Sequence, residues 1–362
     1  MLQYSVYNVD IFDRDFRSYY HDNVNSIEYF FDYLSPIDNK VEVLSDERVQ
    51  VGDYIRLYND TYSYFGIISS VDFGLSEGDL MEITYKPFTS IFDTTCVFDT
   101  NLQGGNTSLE VVLKNIIESD FVNNSDTSAN ISAIGTISVT SNTTRWGFNI
   151  KSDTEGQHHA IINLYNVLMT RGFNKYGVVV TCTPDYETRK VNISIGKISE
   201  NPKTIEADLS NVIDRSIVIR GTGENVNKLT VINSAGYSQR IIYYLHPDGT
   251  YSTSNTDRII PVINQYSAVD VPEDKTFAQV AASEAAEAFG NIEYQNLIEL
   301  SVMNDDSMIN PNDLDIGQEV AVIHDGISYL SILSGKEVGQ LTKLIFGSIR
   351  LDLTKILKIG GM

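Results

Sequence analysis

The sequence predicts an α+β protein, mostly β, with two related antiparallel β domains, an inserted α+β domain and a smaller β segment. The first observation is an internal repeat. Residues 49–70, VQVGDYIRLYNDTYSYFGIISS, lie on residues 314–335, LDIGQEVAVIHDGISYLSILSG, without a gap. Gly52 meets Gly317, Asp60 meets Asp325, Ser63 meets Ser328, Tyr64 meets Tyr329, Ile67 meets Ile332 and Ser69 meets Ser334. Carried backwards, the same alignment puts Ile27-Glu28-Tyr29 on Ile292-Glu293-Tyr294 and Asn39 on Asn304. The second observation is that each copy reads as a hairpin. A β-rich run meets a turn at Asn59-Asp60 or Asp325-Gly326, and Asp-Gly suits the positive φ of a tight hairpin turn. The third is length: 362 residues suffice for two or three domains with sizeable cores.

The elements follow in order. Residues 1–98 are rich in Tyr, Phe, Val and Ile and form the first β domain, with Gly52 bending the chain into a strand and MEITYKPFTSIF as a third strand after the hairpin. NLQGGNTS, 101–108, reads as a linker that ends in a helix cap at Thr107 or Ser108. In SLEVVLKNIIESDF the residues Leu109, Val112, Leu113, Ile116 and Ile117 make one apolar stripe, so a helix is expected. NNSDTSAN is a loop and ISAIGTISVT starts a further β region. EGQHHAIINLYNVLMTRGF predicts a second helix, with Ile161, Leu164, Tyr165 and Leu168 on one face and Gly172 as its stop. Strands YGVVVTCTP and KVNISIGKI complete an α+β domain over 99–198. Residues 199–262 connect the halves through the β-like runs SIVIRGTG, NKLTVINS and RIIYYLHPDGTYSTS. The second β domain, 263–362, opens with the helix PEDKTFAQVAASEAAEAFGN, with Asp274 as N-cap and Gly290 past its end, and closes on the third strand TKLIFGSIRLDLT.

Composition narrows the function. The formal charge is −22, from 48 acidic and 26 basic residues, which argues against a surface that clamps nucleic acid through phosphate contacts. No apolar run reaches membrane-spanning length, and MLQYSVYNVDIFDRD is not a secretory signal. Cys96 and Cys182 lack metal-ligand spacing and read as buried thiols.

Motifs that carry chemistry are not found, so no catalytic, cofactor-binding or metal residue is assigned and no cofactor is expected. His158-His159 lacks a third ligand, His246 precedes a Pro-Asp-Gly turn, and NDDSMINPNDLDIG departs from a calcium-loop spacing, leaving at most a loose surface calcium site. There is no Walker loop or GxGxxG, and GTG at 221–223 is a turn. Trp146 and the 21 tyrosines read chiefly as strand and interface residues.

The phrases NKLTVINS, IIYYLHPDGTYS, the Pro-containing strand RIIPV, the helix PEDKTFAQVAASEAAEAF and IFGSIRLDLTKILK resemble the baseplate hub proteins of long-tailed phages and prophages of Gram-positive bacteria, the hub part of tail-associated lysins. The resemblance implies that both related domains are tube-like and that the chain is a structural virion protein. It implies a homotrimer at the distal end of the tail tube, met by the distal tail protein and other tube or baseplate proteins. DNA would pass the lumen without specific binding, and the chain would not insert into a membrane. It also implies synthesis in the host cytoplasm. Two modules in each of three chains would offer six quasi-equivalent surfaces to a sixfold tube. Many such proteins continue into a peptidoglycan hydrolase or fibre, whereas this sequence stops after LTKILKIGGM, so it is expected to be no enzyme. Two other classes are a cell-wall hydrolase with its site in 99–198, and a host-surface carbohydrate-binding module using exposed tyrosines.

Overall fold

The computed structural model describes residues 6–25, 29–33, 38–60, 62–73, 80–99, 108–141, 159–164, 172–173, 177–197, 203–219, 226–236, 238–246, 251–289 and 296–347. The fold is α+β and mostly β. In chain order the strands of the first sheet are β1 (Tyr7–Phe12), β2 (Ser18–Val24), β4 (Asn39–Leu44), β5 (Tyr54–Tyr58), β6 (Ser63–Phe73) and β7 (Leu80–Pro87), with β3 (Tyr29–Asp32) lying elsewhere. Their spatial order is β2-β1-β5-β6-β7-β4, antiparallel throughout. Alternate residues of β1, β4 and β7 are buried, as the period-2 pleat requires of a sheet with one face on a core. Val9, Ile11, Ile55, Leu57, Ile68 and Ile83 are among the residues of that core. Each such side chain contributes roughly 1.5–3 kcal/mol by leaving water.

Next come β8 (Thr95–Asp99), helix α1 (Leu109–Phe121), β9 (Ile134–Val139), β10 (His159–Asn163), β11 (Val179–Asp185) and β12 (Lys190–Gly196). Ser108 caps α1 by accepting a hydrogen bond from the Val111 amide, and the predicted stripe from Leu109 to Ile117 is buried. That stripe packs in one core with the sheet β11-β12-β9. The helix expected over 155–173 is corrected at 159–163: His159–Asn163 is a strand, antiparallel to β8, and Leu164 after it is helical. Its branched apolar run fits a pleated ladder, and β8 supplies the partner. Leu164 is buried, Tyr165 and Leu168 lie outside the described residues, and Gly172 with Phe173 forms a wide turn whose carbonyls accept from Val178 and Gly177.

The second sheet comprises β13 (Lys203–Glu206), β14 (Asp214–Ile219), β19 (Asn296–Val302), β20 (Glu319–His324), β21 (Ile327–Val338) and β22 (Thr342–Gly347), ordered β13-β20-β21-β22-β19-β14, with β3 also paired to β21. Between them in sequence, β15 (Lys228–Asn233), β16 (Arg240–Leu245), β17 (Tyr251–Ser252) and β18 (Asn264–Val269) form a sheet ordered β17-β16-β15-β18. Helix α2 (Phe277–Phe289) covers this sheet through Ala281, Ala285 and Phe289. Its cap is Thr276 and not Asp274. Thr276 Oγ1 accepts from the Gln279 amide while Gln279 Oε1 accepts from the Thr276 amide, a reciprocal pair at the spacing of a capping box. Gly290 lies outside the described residues. RIIPV is not a strand; the ladder begins at Asn264, after Pro261, which has no amide hydrogen to give.

The repeat is present in the backbone. β5–β6 and β20–β21 are antiparallel hairpins. Gly52 and Gly317 have φ of 92° and 87° and donate to Ile68 O and Leu333 O at 2.9 and 2.7 Å. The register slips between Ile68 and Ser70 in one copy and between Leu333 and Gly335 in the other. The residues skipped are the matched serines: Ser69 Oγ donates to Thr84 O and Ser334 Oγ to Ile345 O, each at 3.2 Å. Both bulges re-aim a long strand at the same point. Upstream of the hairpin the ungapped match fails. Asn39 pairs with Tyr85, and the counterpart of that pair is Ile298 with Phe346, whereas Asn304 lies beyond the end of β19. Ile292-Glu293-Tyr294 lies outside the described residues. The third strand of the first copy ends at Pro87, and 88–92 is a 3-10 turn. That of the second copy is described through Gly347.

The two glycines yield a graded prediction. A Cβ on Gly52 would meet the flexible Arg14 Nη2 at 3.3 Å, whereas one on Gly317 would collide with Val179 Cγ2 in the core. Gly52→Ala should cost about 1–2 kcal/mol from positive φ alone. Gly317→Ala should cost roughly 1–3 kcal/mol more from overpacking. Urea denaturation of the two variants checks this; equal losses would contradict it.

Candidate functional site

The two sheets, β11 with the turn after it, and the loop before β20 meet around a cavity of ≈ 700 Å³. β3 contributes one wall: it leaves the first sheet, held at Phe30 by the Asn39 side chain, and pairs with the far half of β21. Tyr33, just past β3, ties three units together. Its amide donates to Ser334 O at 2.8 Å, its hydroxyl accepts from the Val180 amide at 2.9 Å, and its ring stacks on Phe173 at 4.5 Å. Tyr62, at the first hairpin, reaches Thr342 of β22 at 2.7 Å. Thr342 Oγ1 spends its hydrogen on Asn304 Oδ1, so the Tyr62 hydroxyl is the donor in that contact.

One cation lines this cavity. Lys336 Nζ donates to Pro311 O and Leu314 O at 2.7 and 2.5 Å. Burial pushes its ammonium down to about 8, against the attraction of Asp315 and with help from the repulsion of Lys203. Lys203 itself donates to Asp313 O. The acidic stretch 304–317, whose spacing leaves at most a loose surface calcium site, has three of its carbonyls occupied by lysines. Asp306 Oδ1 is also engaged, accepting from the Met308 and Ile309 amides and from Asn211 Nδ2.

Asp208, His324 and Asp325 form another cluster of groups with ligand atoms. Asp208 Oδ1 faces His324 Nδ1 at 2.6 Å and Arg215 Nη1 at 2.8 Å, while Oδ2 accepts from the Asp325 amide at 2.6 Å. The Asp325 amide, then His324, holds the Asp208 carboxyl below its usual range. With a guanidinium already on the carboxylate, the arrangement clasps the second hairpin turn to residue 208 and does not gather ligands round a metal. His246 Nε2 lies 2.9 Å from Ser252 Oγ and bridges the two ends of its turn. His158 and Trp146 lie outside the described residues, and so does the side chain of His159. Cys96 and Cys182 are free thiols, both raised by burial. Among the described residues no helix is long and apolar enough to cross a membrane. What this geometry performs is joining: aromatic rings, backbone ladders and capped carbonyls fix the two sheets against each other.

No family model matches the chain, and no curated protein matches it. Solved structures do. The 43 kDa tail protein of prophage MuSo2 from Shewanella oneidensis superposes with a TM-score of 0.55 at 13% identity, covering 94% of this chain and 98% of that one. The fold is that of phage and prophage tail proteins. The tail protein from Neisseria meningitidis MC58 gives 0.51 at 15% identity, covering 94% and 96%. A chain of the phage P2 baseplate, in its activated conformation with Ca, gives 0.51 at 10% identity, covering 94% and 98%. The tail-protein fold thus extends over nearly the whole chain. The joint residues Tyr33, Tyr62 and Lys336 were not singled out from the sequence; the one signal was that Lys336 interrupts a strand where the repeat partner is Val71.

The joint sets a pH dependence. Burial raises the hydroxyls of Tyr29, Tyr33, Tyr62 and Tyr64 above the ordinary value of 10.0, so their share of stability is intact below pH 10 and is lost above it. Lys336 works oppositely: with about 8 in the fold against 10.5 unfolded, stability rises as pH climbs from about 8 towards 10.5. Cys96 and Cys182, raised by burial above 9.0, take stability away as pH rises past 9. Melting temperature should therefore peak near pH 9, and Lys336→Met should flatten the rise above pH 8. A wild-type melting temperature that declines from pH 8 onwards would contradict the assignment.

Proposed function

We propose that the chain is a structural protein of the virion, the homotrimeric hub of a baseplate, closing the distal end of a tail tube and letting DNA pass on opening. The observation that carries this reading is the bulged hairpin module built twice in one chain and welded through β3, within a tail-protein fold. Two modules per chain in a threefold ring present six related surfaces, which suits contact with a sixfold tube. Its partners on this reading are the distal tail protein and other tube or baseplate proteins, with no cofactor and no catalysis of its own. The net charge of −22 fits a lumen that DNA slides past, since a cationic wall would hold phosphates by counterion release.

An acidic lumen also has a cost. Like charges facing each other across a ring repel over a Debye length of about 30 Å at 0.01 M salt and about 8 Å at 0.15 M. Sedimentation velocity over a salt series should therefore give a trimer that is firmer at moderate than at very low ionic strength. A monomer at every salt and protein concentration would overturn the hub reading for this chain alone. Cell-wall zymography of the same preparation should show no clearing; clearing abolished by a point substitution would replace the reading with a hydrolase.

A further inference from the structure

The two copies of the module differ at one backbone edge. β21 has β22 along one side. On its other side it carries β20 over Ile327–Ile332 and then β3 over Gly335–Val338. β6 repeats this plan up to the bulge. It has β7 along one side and β5 over Ser63–Ile67 on the other, with Gly52 and Asp53 bonded to Ile68. Beyond Ile68 the berth that β3 fills in the second sheet is unpaired among the described residues, so Ser70–Phe73 present an open edge.

Side chains register the same difference. Val338 is 1% exposed, packed in one cluster with Tyr29 of β3. Its repeat partner Phe73 is 43% exposed although it stands opposite buried Met81, on the core side of the sheet. Gly335 is buried where Ser70 is exposed. An aromatic side chain on the core side of an open sheet edge is an unfinished interface.

The matching donor lies on the other sheet. β3 lies beside the start of β4, its Phe30 backbone held by the Asn39 side chain, at the β7-β4 end of the first sheet. At the equivalent end of the second sheet, beyond β22-β19, sits β14. All six residues of β14 pair with β19 on one edge, and its outer edge is unpaired among the described residues. Beside that edge Ile213 is 53% and Val218 44% exposed. Within one chain, a strand from the β4 end of the first sheet already docks on the second sheet. We propose that the same contact is repeated between copies: the β6 edge at Ser70–Phe73 of one molecule takes the β14 edge of a second molecule. Edge strands join by backbone hydrogen bonds whatever their sequence, and the apolar side chains beside them set the register. Because donor and acceptor lie on different parts of the surface, the contact is head-to-tail and closes only by rotation into a ring.

This rests on the hub reading and names its subunit contact, so the test must separate the two. The photoreactive residue p-benzoylphenylalanine is placed at Phe73, and isotope-labelled and unlabelled full-length protein are mixed, irradiated and digested. Mixed-isotope crosslinks from position 73 to peptides containing residues 213–219 are expected. Phe73→Lys should weaken self-association by about tenfold in sedimentation, the loss typical of a buried interface anchor, with an unchanged melting temperature for the monomer. If the protein forms trimers but position 73 crosslinks elsewhere and Phe73→Lys assembles like the parent, this contact is wrong and the trimer stands. If no oligomer forms at any concentration, both fall.

Discussion

The backbone ladder between β3 and β21 is the constraint on which the rest of the molecule depends. Tyr29, Phe30, Phe31 and Asp32 pair with Val338, Glu337, Lys336 and Gly335, and Tyr33 extends the contact to Ser334 and on to Val180. A strand from the first half of the sequence thus finishes the sheet of the second half. Separating the sheets would strip water-free partners from these backbone groups and expose Tyr29 and Val338, both nearly fully buried. The aromatic cavity, the capped carbonyls around Lys336 and the Tyr62–Thr342 contact all exist because this ladder sets the distance between the two modules.

The modules share their internal fastenings and differ in their edges. A left-handed glycine and a serine bulge recur at matched positions, which conserves the path of the long strand. On the flank of the hairpin, however, β5 meets β1 antiparallel while β20 meets β13 parallel. A parallel neighbour needs a long crossover, and here the chain supplies it through residues 207–318. Equal cores with unequal edges suit a protein that repeats one shape around an axis while making two kinds of contact, one within the chain and one outside it.

Much of this was legible in the sequence, for reasons that can be located. The hairpins were readable because Gly52, Gly317 and the two turns are local requirements of backbone geometry, and α1 because its stripe faces a core at helical spacing. The stretch at 159–163 was misread because Ile161, Leu164 and Tyr165 satisfy a helical face while Ala160-Ile161-Ile162 satisfies a strand equally well. Pairing with β8, distant in sequence, decided it. The extension of the repeat to Asn39 and Asn304 failed because the strands upstream of each hairpin are not offset equally. The joint was illegible because the surroundings of Lys336 come from β3, β11 and the 311–316 loop, which no local pattern brings together.

The central claim is that one chain supplies two related modules to a ring. Electron cryomicroscopy of the purified protein, at concentrations where sedimentation shows assembly, tests it most directly. The account predicts a threefold particle whose wall contains six similar β modules, alternating between those built on β5–β6 and those built on β20–β21. A particle in which one module forms the wall and the other hangs free of it, or one that closes with a different number of copies, would contradict it.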